Sequence, residues 1–295
     1  MTNATARIDI GTMMESPEEM PWAFNVKREA LQLRGEDTAR AAIIREDTGG
    51  IVGYTSDTYN PASYASLLAP IASWLRQEHG PDVEVRYGLS TATKGRTGLA
   101  PGSRGYWRFI LPDKEAVGDP EMGDAVQRCI DIRSGHDGGT GINGQASILR
   151  LVCTNGMVLP DTKASFNMRH TEGWDAEKYA AQVDELLTSV LAGHDGALAQ
   201  FDNWANTESD AREVRHLLLQ MEQNKYPAGW LADAYRAAVG MMADSSAGVS
   251  TGSIMDLSRW QVFNAFTDKK LKGMGDMFTE ARLNERTYSL MQKLN

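Results

Sequence analysis

The sequence predicts an α+β protein: a twisted antiparallel sheet with a packed helix on one face, followed by a helical C-terminal region. Three observations carry this. Val83, Val85 and Tyr87 alternate with Glu84, Arg86 and Gly88, the period of a strand with one buried face. Tyr64, Leu67, Leu68, Ile71 and Trp74 recur at helical spacing. Beyond His170 the apolar pattern is helical throughout.

Taken in order, residues 1–40 mix charges with Pro17, Pro21 and Trp22 and read as an N-terminal arm that orders by packing on something else. Residues 41–45 and 51–54 flank Asp47-Thr48-Gly49-Gly50, a strand pair around a turn. Asn60 followed by Pro61 predicts a capped helix start, and His79-Gly80 its end. Strands follow at 83–88, 106–111, 125–133 and 147–152, with a long Gly-rich connection over 91–105 that exceeds what a tight hairpin needs. With the later hairpin centred on Gly141, Cys129 and Cys153 face each other as buried free thiols. The α+β core thus spans 41–171. Residues 172–295 form the helical region, with segments around 179–191, 214–221, 231–242, 257–267 and 276–294 and a linker at 244–253.

Composition narrows the function classes. Hydrophobic residues make up 42% of the 295-residue chain and charged residues 23%, enough for a packed core without metal or disulfide staples. The longest apolar runs are far short of a membrane span, the N-terminus lacks a secretory signal pattern, and two cysteines suit a reducing cytoplasm. A net charge of −9 argues against a surface that attracts polyanions everywhere. Residues 81–170 carry 11 basic and 10 acidic side chains, against 7 and 11 before them and 12 and 18 after. Any nucleic-acid groove is therefore expected in this middle third.

Within it, Arg86, Lys94, Arg96, Arg104 and Arg108 run without one acidic residue and are interleaved with Tyr87, Tyr106 and Trp107. Cations on a Gly-rich loop can track a phosphate backbone while flanking aromatics stack bases. A solvated loop whose aromatics face the core is the competing reading. The His136-Asp137-Gly138-Gly139 turn could form a backbone nest for an anion, or be a structural turn. It lacks the ending of a phosphate-binding loop. His79, His136, His170, His194 and His216 show no metal-ligand spacing, the cysteines form no CxxC, and no Gly-x-Ser-x-Gly occurs. No catalytic residue, metal or cofactor is expected.

Four segments carry a resemblance: Gly49-Gly50-Ile51-Val52-Gly53-Tyr54 through Tyr59-Asn60-Pro61, Ser134-Gly135-His136-Asp137-Gly138, Leu149-Arg150-Leu151-Val152-Cys153-Thr154-Asn155-Gly156, and Phe166-Asn167-Met168-Arg169-His170-Thr171. In this order they resemble the phage/plasmid-like proteins of domain-of-unknown-function family 932, and residues 260–267 are similar to that family's distal helix. The resemblance implies a mobile-element origin and no settled activity. The order of helix, basic hairpin, second hairpin and helices also resembles the core of single-strand-annealing ring proteins, an analogy of layout.

The expectation is a non-enzymatic protein that binds and anneals single-stranded DNA as a homo-oligomer in the bacterial cytoplasm, away from membranes. Lys94, Arg96, Arg104 and Arg108 would neutralise phosphates, and Tyr106 or Trp107 would stack bases. Arg86, Arg128, Arg133, Arg150 and Arg169 would join them in one continuous trough. The alternative is a phage or plasmid interaction protein that inhibits a host defence factor through its acidic surface. A third reading is an enzyme with its site around His136, Asp137 and His170.

Overall fold

A computed structural model describes residues 6–90, 98–112, 115–116, 125–150, 159–170, 175–191, 195–229, 231–232, 257–267, 283 and 286–294. Its main sheet joins β1 (Ala6–Asp9), β5 (Glu84–Leu89), β6 (Arg104–Ile110), β8 (Ala125–Gly135), β9 (Ile142–Arg150) and β10 (Leu159–Met168) in that order, with two-residue β7 (Glu115–Ala116) beside β8. Every pairing is antiparallel. The α+β class therefore holds, and the sheet is open.

Helices cover one side of it. Helix α1 (Ile10–Glu15) and helix α2 (Tyr64–His79) bury Ile10, Tyr64, Leu67, Leu68, Ile71 and Leu75 against Val85, Trp107, Phe109, Ile130 and Ile132. Burying such side chains contributes about 1.5–3 kcal/mol each, so this layer is the main source of stability. Helix α3 (Ala176–Leu191) extends it with Tyr179, Val183, Leu186 and Leu187 over Ile142, Ala146 and Phe166, and the Tyr179 hydroxyl donates to the Leu67 carbonyl at 2.6 Å.

Some boundaries differ from the sequence reading. Helix α2 starts on Ser63, whose Oγ accepts the Ser66 N–H at 3.1 Å; Asn60 instead donates its backbone N–H to the His170 carbonyl at 3.2 Å. The capping role thus shifts by three residues because Asn60 is used in a tertiary contact. The turn between β8 and β9 centres on Gly138, since Arg133 pairs with Asn143 and Cys129 with Ser147. Cys129 consequently faces Ser147; Cys153 lies outside the described residues. Strand β10 has no counterpart among the expected strands, because its Pro160 and Asp161 break the apolar alternation.

Residues 1–40 were expected as an arm. From it β1 pairs with the edge of β5, and Trp22 and Phe24 enter the main core. Strand β2 (Val26–Leu33) joins β3 (Glu36–Arg45) and β4 (Ile51–Ser56) in a second, three-stranded sheet, which includes the expected strand pair at 41–54. Beyond the main sheet, α4 (Asp195–Ala205), α5 (Ala211–Gln223) and α6 (Arg259–Thr267) build another core from Phe201, Trp204, Leu217, Met221, Trp260 and Phe263, touching the sheet at Val126 and Ile148. A short bridge between Glu208–Ser209 and Leu257–Ser258 ties α5 to α6. The expected helix at 231–242 and the linker at 244–253 lie mostly outside the described residues. No helix among the described residues is long and apolar enough to cross a membrane.

The two sheets meet backbone to backbone. A Cβ on Gly53 would lie 1.6 Å from the His136 carbonyl oxygen, and one on Gly138, whose φ is +80°, would lie 2.5 Å from that of Tyr54. Neither backbone carbonyl can swing away as a flexible side chain could. Gly53→Ala is expected to destabilise the chain by about 1–3 kcal/mol, the usual cost of overpacking, read as a lower urea midpoint; a change below about 0.5 kcal/mol would mean the contact is not maintained in solution.

Candidate nucleic-acid interface

Because successive residues of a strand point to opposite faces, the residues between the core positions of β5, β6 and β8 share the other side of the main sheet. Cross-strand register aligns them in rows. One row runs Arg7, Arg86, Arg108, Asp131, Gln145, Ser165, each paired with the next. A second runs Tyr106, Arg133, Asn143, Asn167. Arg104 falls on the same side at the end of β6. Five arginines, among them four of the residues singled out in the sequence, thus converge on one polar face.

At its centre is a buried cluster. Arg108 donates through Nε to Asp131 Oδ1 at 2.7 Å, the Tyr106 hydroxyl donates to the same oxygen at 2.5 Å, and an Arg108 Nη2 also donates to the Tyr106 hydroxyl. The side chains of Arg108 and Asp131 are 5% and 0% exposed. Burial pushes the Tyr106 phenol well above its ordinary range, so it stays a neutral donor. A charge pair at this depth is held by its hydrogen bonds and is costly to break from one side.

This geometry corrects several expected roles. Trp107 is on the opposite face, wholly buried with Trp22 at 6.0 Å and Tyr64 at 4.9 Å between ring centroids; Tyr106 is also fully buried. Neither ring can stack a base, because alternation sends one into the helix-covered core and the other beneath the arginines. Arg108 serves Asp131 rather than a phosphate. Arg128 takes the side of the pleat shared with Ile130 and Ile132, and Arg169 is exposed just past β10. Arg150 pairs through its backbone with Val126. Lys94 and Arg96 lie outside the described residues.

The expected continuous trough of cations is interrupted by acids. The sequence stretch from Arg86 to Arg108 is free of acids, but neighbouring residues and strands supply them: Glu84 lies 2.6 Å from Arg86 and 3.6 Å from Arg7, Asp131 pairs with Arg108, and Asp137 is 3.7 Å from Arg104. Among the described residues this face is a lattice of ion pairs. Arg7, whose side chain is 58% exposed, was missed by the sequence reading because only the β1–β5 pairing brings it here.

Beside this face, three of the four segments that carry the resemblance meet. Ser134 Oγ and His170 Nε2 share a hydrogen bond at 3.1 Å, the Tyr59 hydroxyl donates to the Gly135 carbonyl at 3.0 Å, and the Tyr59 ring stacks on His170 at 5.0 Å. His136 lies 5.9 Å from His170 and 4.6 Å from Tyr64. Burial, reinforced by His170, holds His136 down at about 3, and burial holds His170 at about 4. Both are neutral near pH 7. The expected anion nest is filled from within: Asp137 Oδ1 accepts the N–H groups of Gly139 and Thr140 at 3.0 and 2.8 Å. No group of three or more His, Cys, Asp or Glu that could hold a metal occurs among the described residues.

An open antiparallel sheet with one helix-covered and one arginine-lined face, followed by a helical region, defines the class. A family model described as a domain of unknown function (DUF932) matches residues 77–293, and the chain belongs to that family. The match takes in the polar face apart from β1, and the 134–138 and 166–171 segments, but not the 49–61 segment. No curated protein and no solved structure matches the chain.

Removing one partner of the buried pair tests the centre of this face. Arg108→Met strands Asp131 and is expected to cost about 3–5 kcal/mol, whereas Arg108→Met with Asp131→Leu recovers most of it. Equal losses in the single and double variants, measured by urea unfolding, would show that the pair is not coupled.

Proposed function

We propose that the chain is a non-enzymatic binder of single-stranded nucleic acid that lays the strand along the polar face of the main sheet and acts in annealing as a homo-oligomer of a phage or plasmid. The observation that supports this reading is the register that sets Arg7, Arg86, Arg104 and Arg133 around the Arg108–Asp131–Tyr106 cluster on one side of the main sheet. In this reading Arg108, Asp131 and Tyr106 are a scaffold. Contact falls to Arg7, Arg86, Arg104 and Arg133, with Asn143, Gln145 and Asn167 as further donors.

A phosphate can take the place of Glu84 as the shared partner of Arg7 and Arg86, because Glu84 is 37% exposed and an exposed ion pair is worth only about 0–1 kcal/mol. Arginine donates in a planar fork that suits phosphate oxygens. With Tyr106 and Trp107 buried, recognition is expected to be sequence-tolerant and to depend on charge. A single subunit offers few cations, so side-by-side copies would be needed to hold a long strand. The bacterial cytoplasm is the compartment this reading implies.

Fluorescence anisotropy with a labelled single-stranded oligonucleotide, titrated at several salt concentrations, tests it. Binding is expected to weaken with salt by about 0.7 in log–log slope per phosphate neutralised, and Arg86→Gln with Arg133→Gln to flatten the slope by about 1.4. No binding at low salt would remove the reading and favour a protein-docking role, for which exposed Glu177, Asp184 and Glu185 of α3 offer an acidic surface.

A further inference from the structure

We propose that His136 and His170 form an acid-sensitive latch whose protonation frees the three-stranded sheet, residues 26–56, from the main sheet while the main sheet stays folded. The inference starts from two imidazoles buried at the seam between the sheets. His136 has no exposed surface and neither ring nitrogen has a hydrogen-bond partner; His170 is engaged through Nε2 alone, and its Nδ1 is buried without one. Buried polar groups are nearly always satisfied, so three unpartnered nitrogens at one seam mark a place where the closed state is maintained at a cost.

Tyr64 of α2 covers one side of His136 at 4.6 Å, and the other ring neighbours of the pair travel with the smaller sheet. Phe24, two residues before β2, stands edge-on to His136 at 6.5 Å, and Tyr59, three residues after β4, stacks on His170. The ties across the seam include Gly53 against the His136 carbonyl, Gly138 against Tyr54, the Ala100 N–H on the Ile51 carbonyl at 2.7 Å, an Arg45 Nη1 on the Pro101 carbonyl at 3.0 Å, the Tyr59 hydroxyl on the Gly135 carbonyl at 3.0 Å and the Asn60 N–H on the His170 carbonyl at 3.2 Å. The smaller sheet has only a slight core of its own, Ile43, Val52 and Tyr59. Displacing residues 24–60 would expose both imidazoles and take Phe24 off the Tyr64 ring, 5.6 Å away, while leaving the rest of the α2 layer on the main sheet.

The charged and titratable groups around the pair do not favour a cation in the closed state. Each histidine opposes protonation of the other across 5.9 Å. Tyr64 of α2 and Tyr59 are held neutral by burial. Arg45 from β3 and Arg104 from β6 bring positive charge to the same neighbourhood. Among the described residues Asp137 is the anion that acts on His170; its carboxylate is already engaged by the N–H groups of Gly139 and Thr140, the Thr140 hydroxyl and Arg104.

The sign follows. Closed, the imidazoles are held at about 3 and about 4; released, they return to about 6.5. Opening therefore takes up protons. The closed state keeps its full advantage above about pH 6.5 and loses it as pH falls, the open-to-closed ratio rising about tenfold per pH unit for each histidine released.

Hydrogen exchange of the full chain, followed by peptide mass spectrometry at pH 7 and pH 5 and corrected for intrinsic rates, tests the latch. Protection of residues 26–56 is expected to fall about 25-fold if one histidine is released and about 600-fold if both are, with residues 64–79 and 125–135 changing far less. Unchanged protection at 26–56, or a loss matched by the other two segments, would overturn the proposal. His136→Phe is expected to reduce the pH-dependent loss at 26–56, and retention of the full loss would also overturn it. Should this variant fail to fold, the wild-type comparison between segments decides alone.

Discussion

A pleated strand divides its side chains strictly between two sides, and in this protein that division separates stability from chemistry. The side bearing Val85, Trp107, Phe109, Ile130 and Ile132 is sealed by α1, α2 and α3. The other side must then accommodate every residue in between, including Arg86, Tyr106, Arg108, Asp131 and Arg133. A one-residue slip in register would exchange the two sets, placing guanidinium groups under α2. The polar face is thus specified by the same packing that holds the sheet to its helices.

Charge on that face is organised across strands rather than along them. Arg108 and Asp131 are 23 residues apart in the chain and directly opposite in the sheet; Arg7 and Arg86 converge on one carboxylate from paired strands. A linear count of acids and bases sees neither relation. The resulting face has a buried, fully hydrogen-bonded centre and a more accessible rim, which assigns rigidity to the first and exchange of partners to the second.

Much of the fold is legible in the sequence for the same reason that some of the site is not. Periodicity is local, so α2, β5, β6, β8, α3 and α5 announce themselves through spacing alone. Strand β10 does not, because Pro160 and Asp161 interrupt its pattern, and β2 is hidden because its residues are largely exposed on both sides, leaving no alternation to detect. Arg86, Arg104, Arg108 and Arg133 share a side of the sheet, whereas Arg128, expected with them from the basic residues of the middle third, takes the other side of the pleat. The inward placement of Tyr106 and Trp107 is not legible in the sequence, since composition cannot tell a ring that faces a ligand from one that faces a core. Tertiary contacts also reassign local signals: Asn60, a good helix cap by type, is drawn to the His170 carbonyl, and Asp137 fills with its own carboxylate the turn that might have held an anion.

The central claim is that the rim arginines of the polar face, and not basic residues elsewhere, meet a polyanion. Arginine-selective chemical modification read by mass spectrometry, with and without a single-stranded oligonucleotide, addresses it residue by residue. The account predicts that the oligonucleotide protects Arg7, Arg86, Arg104 and Arg133 and leaves the exposed Arg212 and Arg215 of α5 as reactive as before. Protection confined to α5, or no protection at all, would contradict it.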